Sequence, residues 1–255
     1  MSSSKNSKKY KIERMKDKSD NNIIHKDKID NVNFRTLISA SSGLGKTNIL
    51  GNMILKDQFY NKNFYGDDIY IWCDEKSLKN CEKMKTIISH KEIPEENLFT
   101  EENFEETLKT VYDMCCDEFE ERTKAKKRVY NKLFVFDDLG FHTSSMKKQA
   151  GQLNRIFTNS RKNACSIICI NQRWTQNSTV QRCNFTSAFV FNCANSQKEV
   201  LERDINMMKS KKAFFDMLND NLVETRDFIY ICLTNEKKDI YLNKNFEIID
   251  QDKYN

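Results

Sequence analysis

The sequence predicts a three-layer α/β domain with a mostly parallel central sheet. Short apolar segments rich in β-branched and aromatic residues alternate with longer segments whose apolar residues recur at helical spacing. The short segments are apolar throughout, which is typical of parallel strands that helices cover on both faces. A last pair of strand-like segments, at 228–242, predicts a C-terminal β-hairpin.

The first half of the chain contains two predicted strands and three predicted helices. "NFRTLISA" (33–40) and "DDIYIWCD" (67–74) predict strands, because both are apolar and bounded by polar residues. Helical spacing of apolar residues predicts one helix after Lys46 and a second over 75–90. The third helix, over 100–121, starts with acidic residues, which the positive end of the helix dipole favours.

The second half of the chain continues this alternation. A basic segment, "RTKAKKR", leads into the apolar segment "KLFVFDDLG", and "ACSIICINQ" and "SAFVFNC" predict two further strands. The predicted strands occupy 132–140, 164–172 and 187–193, and the predicted helices occupy 147–162 and 197–219.

The chain divides into a polar tail and one domain. Residues 1–30 carry nine Lys and Arg against five Asp and Glu, and they form a low-complexity basic segment that is unlikely to pack. Residues 31–255 contain no Gly/Ser-rich linker, which favours a single domain. Two interpretations of the tail stay open: a basic arm that contacts phosphates, or a solvated segment.

Composition excludes several classes of protein. No apolar run approaches the roughly 18 residues that cross a bilayer, and no N-terminal segment has the pattern of a secretory signal, so an intracellular and not a secreted protein is expected. The nine cysteines lack paired CxxC spacing. They are therefore interpreted as small buried hydrophobic residues in a reducing compartment, not as disulfides or zinc ligands.

The segment "SASSGLGKT" predicts a phosphate-binding loop. It fits the pattern GxxxxGK[ST] except that Ala40 stands at the first glycine. Gly43 and Gly45 can take positive φ, Lys46 can reach the β- and γ-phosphates, and the Thr47 hydroxyl can ligate Mg²⁺. The predicted nucleotide-binding residues are Ala40, Ser41, Ser42, Gly43, Leu44, Gly45, Lys46, Thr47 and Asn48. The alternative is an ordinary turn between a strand and a helix.

Two aspartates end the predicted strand at 132–140. Asp137 is the predicted magnesium-side carboxylate, and Asp138 is the predicted general base that polarises the attacking water. The alternative is a strand that ends in two solvated acids. The predicted strand over 67–74 lies in sequence between the phosphate-binding loop and the two aspartates. This order suggests the class of phosphate-loop proteins that have an additional central strand and a catalytic acid.

The next strand in sequence ends at Gln172. At the carboxyl edge of such a sheet, where ligands bind, this glutamine could sense the γ-phosphate and relay hydrolysis. A loop glutamine that faces water is the alternative.

Three segments in this order, "SASSGLGKT", "LFVFDDLG" and "SRKNACSIICINQRW", resemble the FtsK–HerA superfamily of DNA-translocating ATPases. Within it, the chain is most similar to the genome-packaging ATPases of large eukaryotic DNA viruses and virophages, over about residues 33–193. The resemblance matches Lys46 and Thr47 to the phosphate-loop (Walker A) pair. It matches Asp137 and Asp138 to the Walker B metal-binding and catalytic acids. It matches Gln172 to the sensor.

What this resemblance implies is ATP hydrolysis with Mg²⁺ at the subunit interfaces of a homo-oligomeric ring, a pentamer or hexamer. The ring would drive double-stranded DNA, independently of sequence, into a preformed capsid through a portal or vertex protein. The expected location is the host cytoplasm or virus factory, and also the virion. Two departures from the family pattern are Ala40 in place of glycine and Asp138 in place of glutamate.

The resemblance also implies an arginine that acts on the neighbouring subunit's nucleotide. Arg161 is the first choice because it leads into the glutamine-bearing strand, as in the family. The other arginines that stay open for this role are Arg155, Arg173, Arg182 and Arg203.

Two basic clusters could contact DNA phosphates, since translocation independent of sequence needs no base readout. The two clusters are Lys124, Lys126, Lys127 and Arg128, and Lys209, Lys211 and Lys212. Either could equally be a solvated connector. The alternative functions are a helicase-like or transposition-associated phosphate-loop ATPase, and a nucleotide-binding scaffold without turnover.

Overall fold

The computed structural model describes residues 24, 26–139 and 143–254. Most of the predicted tail, and Gly140 at the end of a predicted strand, lie outside the described residues. Ile29 and Asp30 are buried. Asp30 is bonded through its main chain to two tyrosine hydroxyls, at 2.7 Å to Tyr60 and 3.0 Å to Tyr230. These two residues, which the sequence prediction assigned to the tail, therefore belong to the folded domain.

The described residues form one eight-stranded sheet in the order β3-β2-β4-β5-β1-β6-β7-β8. The strands are β1 Arg35–Ser39, β2 Ile69–Cys73, β3 Leu98–Phe99, β4 Lys132–Asp137, β5 Cys165–Asn171, β6 Ser187–Phe191, β7 Phe228–Cys232 and β8 Tyr241–Leu242. The first six strands of this order are parallel, and β7 and β8 join them as an antiparallel hairpin at one edge. The predicted sheet and hairpin are confirmed, and β3 is an additional short strand.

The added central strand is β5, which lies between β1 and β4 in the sheet. The strand that suggested this class, β2, lies on the far side of β4. Because β1, β5 and β4 are neighbours and parallel, their carboxyl ends meet at one edge of the sheet. The phosphate loop follows β1, Gln172 follows β5, and the two aspartates lie at the end of β4.

Helices cover both faces of the sheet. They are α1 Lys46–Leu55, α2 Glu75–Asn80, α3 Glu82–Lys91, α4 Phe104–Lys124, α5 Thr143–Asn159, α6 Thr179–Asn184, α7 Asn195–Ile205 and α8 Lys211–Asn221. Alternate residues of β4 belong to separate apolar clusters: the cluster of Leu133 includes residues of α1 and α3, whereas the cluster of Phe134 includes residues of α4, α5, α7 and α8. This arrangement confirms the predicted three layers.

Two predicted helices are each divided in two. Extended backbone at Cys81 separates α2 from α3, and extended backbone at Asn206 ends α7. The Asp74 side chain caps the start of α2, ahead of the first break, by accepting from main-chain N–H groups. After the second break, the Ser210 hydroxyl accepts from Ala213 N of α8 at 3.0 Å. The Ser210 cap supplies an N–H partner that a continuous helix would have provided.

All nine cysteines are free thiols, and five of them are buried. Cys183 is exposed, so the interpretation of every cysteine as a buried hydrophobic residue is wrong for this one. Within the described part of the chain, no helix combines the length and the apolar character that a membrane crossing requires.

A buried ion-pair network anchors the start of β4. Lys132 Nζ lies 2.6 Å from Asp68 Oδ1 and 2.8 Å from Glu118 Oε2. Burial alone would lower the pKa of Lys132, but hydrogen bonds to the two carboxylates raise it above its ordinary value. Burial raises the pKa of Asp68, which depends on Lys132 for its charged form.

We expect Lys132→Met to lower the free energy of unfolding by about 3–5 kcal/mol, because it leaves the buried Asp68 carboxylate without its partner. The matched control is Lys124→Met, which breaks an exposed pair with Glu120 and should change stability by less than about 1 kcal/mol. Urea unfolding of both variants measures the difference. Equal losses would mean that the buried pair has no special role in stability.

Candidate functional site

The loop between β1 and α1 has the backbone that phosphate binding requires. Gly43 and Gly45 adopt φ of 82° and 108°. A Cβ at either position would meet no atom within 4 Å, so the need for glycine there is conformational. The first turn of α1 contains no acidic residue, and its positive end is available to an anion at this loop.

Ala40 explains why the first glycine of the pattern is dispensable. Its backbone does not adopt positive φ, and its side chain is only 3% exposed. Its N–H donates to the carbonyl of Asn171 at 3.1 Å, which ties the start of the loop to the end of β5. A small side chain with ordinary φ therefore suffices at this position.

Lys46 is held inside the loop by main-chain carbonyls. Its Nζ donates to Ala40 O at 2.8 Å and to Ser41 O at 3.4 Å. Burial lowers the pKa of Lys46, and the charges of Asp138 and Asp137 oppose that shift. The side chain is thus a buried cation near both aspartates. Of the remaining predicted loop residues, Ser41, Ser42 and Asn48 are exposed, whereas Leu44 and Thr47 are half-buried.

The two aspartates differ in environment. Asp137 ends β4 and is 6% exposed. Burial first, and then the charge of Asp138, raise the pKa of Asp137 to about 6, while Lys46 lowers it. Asp138 adopts φ of 53°, a left-handed conformation that aspartate tolerates better than most residues. The chain therefore leaves the extended conformation of β4 at Asp138.

Gln172 contacts Asp138 directly. Its Nε2 donates to Asp138 Oδ2 at 2.8 Å. The other oxygen, Asp138 Oδ1, is buried and has no hydrogen-bond partner among the described residues. An acceptor of this kind is available to a water molecule or to another donor that enters the site.

A buried amide pair supports this arrangement, and the sequence prediction did not include it. Asn171 Nδ2 donates to Asn177 Oδ1 at 2.8 Å, and both side chains are 3% exposed. Asn171 thus holds the loop after β5 through its side chain and Ala40 through its carbonyl. The signal in the sequence was a cluster of amide side chains, "INQRWTQNS", directly after an apolar strand.

Arg161 does not join this site. It lies in the 3₁₀ turn Ser160–Asn163 before β5, whereas Gln172 follows the other end of the same seven-residue strand. Such a strand spans about 20 Å. Arg161 is therefore too far away to act on its own subunit's nucleotide, and only the predicted action on a neighbouring subunit is compatible with its position.

The other arginines have different surroundings. Arg182 forms an ion pair with Asp204, and Arg203 lies 3.6 Å from the same residue. Arg155 contacts Asp113 at 3.3 Å. Arg173 is exposed and directly follows Gln172 at the carboxyl edge.

The two basic clusters lie away from the nucleotide loop. One surrounds the end of α4 and precedes β4, at the amino edge of the sheet. The other lies at the start of α8, close to Met207, whose N–H donates to the Tyr241 hydroxyl at 2.8 Å. Tyr241 pairs with Ile231, and Ile231 with Ala188 near the amino end of β6, so this cluster also belongs to the amino-edge side.

One family model, described as Poxvirus A32 protein, matches residues 21–245. The chain belongs to the poxvirus A32 protein family. This membership confirms the predicted assignment to the packaging ATPases of large DNA viruses. The chain is accordingly a phosphate-loop ATPase of the viral genome-packaging type, as the sequence predicted.

Solved structures share the fold of this chain. The DNA-packaging ATPase B204 from Sulfolobus turreted icosahedral virus has a TM-score of 0.55 and 10% identity, over 79% of this chain and 93% of B204. B204 from Sulfolobus turreted icosahedral virus 2 in complex with sulfate has a TM-score of 0.54 and 12% identity, over 80% of this chain and 94% of that B204 chain.

The ATPase EssC shares this fold over part of its length. EssC (ATPases 2 and 3) from Geobacillus thermodenitrificans has a TM-score of 0.52 and 14% identity, over 66% of this chain and 34% of EssC. No curated protein matches this chain. At these identities the structural matches confirm the predicted fold class alone.

Proposed function

We propose that this chain hydrolyses ATP at the carboxyl edge of its sheet and uses the energy to move double-stranded DNA into a preformed viral capsid. The observation that carries the proposal is the convergence of four side chains, Lys46, Asp137, Asp138 and Gln172, from three neighbouring strand ends. These residues come from three segments far apart in the sequence, so it is the fold that brings them together. The structure of B204 from Sulfolobus turreted icosahedral virus 2 in complex with ATP-γS supports ATP as the nucleotide.

The phosphate loop binds and orients the triphosphate. The N–H groups at the start of α1 and the glycine backbone face the anion, and Lys46 exchanges its carbonyl partners at Ala40 and Ser41 for phosphate oxygens. That exchange keeps a buried cation hydrogen-bonded in both states. The Lys46 charge then stabilises the negative charge that develops on the transferred phosphoryl group.

The residues present fit a magnesium ion. Asp137 is a buried carboxylate at the end of β4, beside Asp138 and near the cation of Lys46. Carboxylate and hydroxyl oxygens are the ligand type that Mg²⁺ prefers, so Asp137 and Thr47 would hold it. When bound, Mg²⁺ supplies positive charge that neutralises the phosphate oxygens.

Asp138 is the proposed general base. Its unpartnered Oδ1 can accept a hydrogen bond from the attacking water, while Gln172 holds the other oxygen in place. Because Gln172 lies in the loop after β5, its hydrogen bond would link the position of the Asp138 carboxylate to that loop. Because aspartate is one methylene shorter than glutamate, the attacking water has to lie closer to the main chain of Asp138 by about that length.

Assembly completes the proposal. A homo-oligomeric ring, a pentamer or hexamer, would place Arg161 of one subunit against the nucleotide of the next, with the exposed Arg173 as the alternative. The basic clusters on the amino-edge side would contact DNA phosphates, and a portal or vertex protein would receive the ring. The expected location is the host cytoplasm or virus factory, and also the virion.

The test is the ATPase rate with and without DNA. We expect blunt double-stranded DNA to stimulate turnover several-fold, equally for duplexes of unrelated sequence, and less so as salt rises, because the contacts are to phosphates. Single-stranded DNA of the same length is the matched control. Stronger stimulation by the single strand would favour the helicase-like alternative, and undetectable turnover with any DNA would favour a scaffold.

A further inference from the structure

A cavity of ≈ 380 Å³ lies beside α1, and the proposed mechanism does not use it. Its wall includes Asn48 and Asn52 of α1, Phe189 of β6, Phe228 of β7 and Phe246 from the segment after β8. Asn48 directly follows Thr47, so the cavity begins where the phosphate loop ends.

Aromatic rings dominate one side of this cavity. The centroid of the Phe246 ring lies 6.0 Å from that of Phe228, 6.2 Å from that of Phe189 and 5.4 Å from that of Tyr230. Phe189 is 2% exposed, whereas Phe228 and Phe246 are only half-buried. The last two rings therefore retain surface that another planar group can cover.

The backbone holds Phe246 in an unfavourable conformation. Its φ is 60°, which is unusual for a bulky side chain. The Asn243 side chain fixes the turn by accepting from Asn245 N at 2.9 Å and from Glu247 N at 3.1 Å, and Phe246 N donates to Asn243 O at 2.9 Å. Strain that the surroundings enforce in this way is concentrated at ligand clamps and active sites.

The strand order indicates which end of a nucleotide would reach this cavity. The terminal phosphate belongs near the aspartates that follow β4, and the sheet runs from β4 through β5 and β1 to β6 and β7. A nucleotide held by the loop after β1 therefore extends its base towards β6 and β7, where Phe189 and Phe228 line the cavity. A second groove, on the α3 side of α1, is lined by Lys83, Thr86 and His90 and lies on the opposite flank.

We infer that this cavity binds the purine base of the nucleotide, which stacks on Phe246 and Phe228. The inference rests on the proposed ATP site and adds the residues that hold the base. Stacking on an aromatic face needs no specific hydrogen bonds, and the amides of Asn48, Asn52 and Asn245 can pair with the ring nitrogens. The C-terminal segment after β8 thus forms part of the nucleotide site.

The test compares ATP with inorganic tripolyphosphate, which has the phosphates and lacks the base. Calorimetry on the full chain measures both affinities for the native protein and for Phe246→Gly, Phe246→Trp and Lys46→Ala. Glycine suits the positive φ at position 246, so Phe246→Gly removes the ring and relieves the strain. We expect it to weaken ATP binding roughly tenfold and to leave tripolyphosphate binding unchanged.

The other variants separate the base pocket from the phosphate site. Phe246→Trp should restore ATP affinity, and its indole fluorescence should change with ATP and not with tripolyphosphate. Lys46→Ala should weaken both ligands, and Tyr65→Ala, which removes an exposed ring outside the cavity, should weaken neither. Equal loss of both ligands in Phe246→Gly, or no loss of either, would overturn the base pocket. A native chain that bound neither ligand would overturn the pocket and the proposed function together.

Discussion

Lys46→Ala is expected to abolish ATP turnover. The side chain is a buried cation held by two loop carbonyls next to Asp137 and Asp138, and the loop contains no second lysine that could replace it. Its removal deprives the transferred phosphoryl group of a pre-positioned positive charge, which should lower the rate at least about 100-fold. Phosphate release at saturating ATP measures this loss, and calorimetry shows how much of it is lost binding.

Lys62→Ala is the matched control. Lys62 is exposed and pairs with Asp57 on the surface, so its removal should leave turnover unchanged. Circular dichroism of both variants should match the native chain, since neither lysine forms part of an apolar cluster. Turnover by Lys46→Ala within a few-fold of the native rate would reject the loop as the phosphate site.

Asp138→Asn is expected to retain ATP binding and to lose hydrolysis by about 10²–10⁴-fold. Asparagine keeps the size of the side chain and an oxygen that can accept from Gln172, so the geometry at the end of β4 should persist. The amide cannot take a proton from water at neutral pH. Single-turnover hydrolysis, with binding measured separately, isolates the chemical step.

The control for this variant is Asp113→Asn, on α4, whose carboxylate pairs with Arg155 away from the site. It should hydrolyse ATP at the native rate. If Asp138→Asn turned over normally, Asp138 would not be the base. If it lost binding as well, Asp138 would hold the nucleotide and would have no separate role in proton transfer.

Local patterns in the sequence were sufficient for the phosphate loop. Glycine at positions 43 and 45 predicted positive φ, and both adopt it. The strands before the loop and before the aspartates were also predictable, because an unbroken apolar run records burial on both faces. The positive φ of a glycine and the burial of a strand depend mainly on residues that are adjacent in the sequence, so local patterns can predict them.

Other features depended on contacts that no local pattern records. The predicted helices over 75–90 and 197–219 are each broken in two, at Cys81 and at Asn206, and the Ser210 side chain caps the helix that follows the second break. Asp30 was predicted to lie in the tail and is buried because tyrosines from two distant segments bond to its main chain.

The sequence by itself determined that this protein has a phosphate loop, two strand-end aspartates and a strand that ends in a glutamine. Only the tertiary structure decided that β5 lies between β1 and β4, which brings Gln172 within 2.8 Å of Asp138 and keeps Arg161 at the far end of the same strand. Strand order is set by packing between segments far apart in the chain, and the composition of each strand does not encode its neighbours. For the same reason, only the fold could place Phe246 and Asn48 in the wall of one cavity.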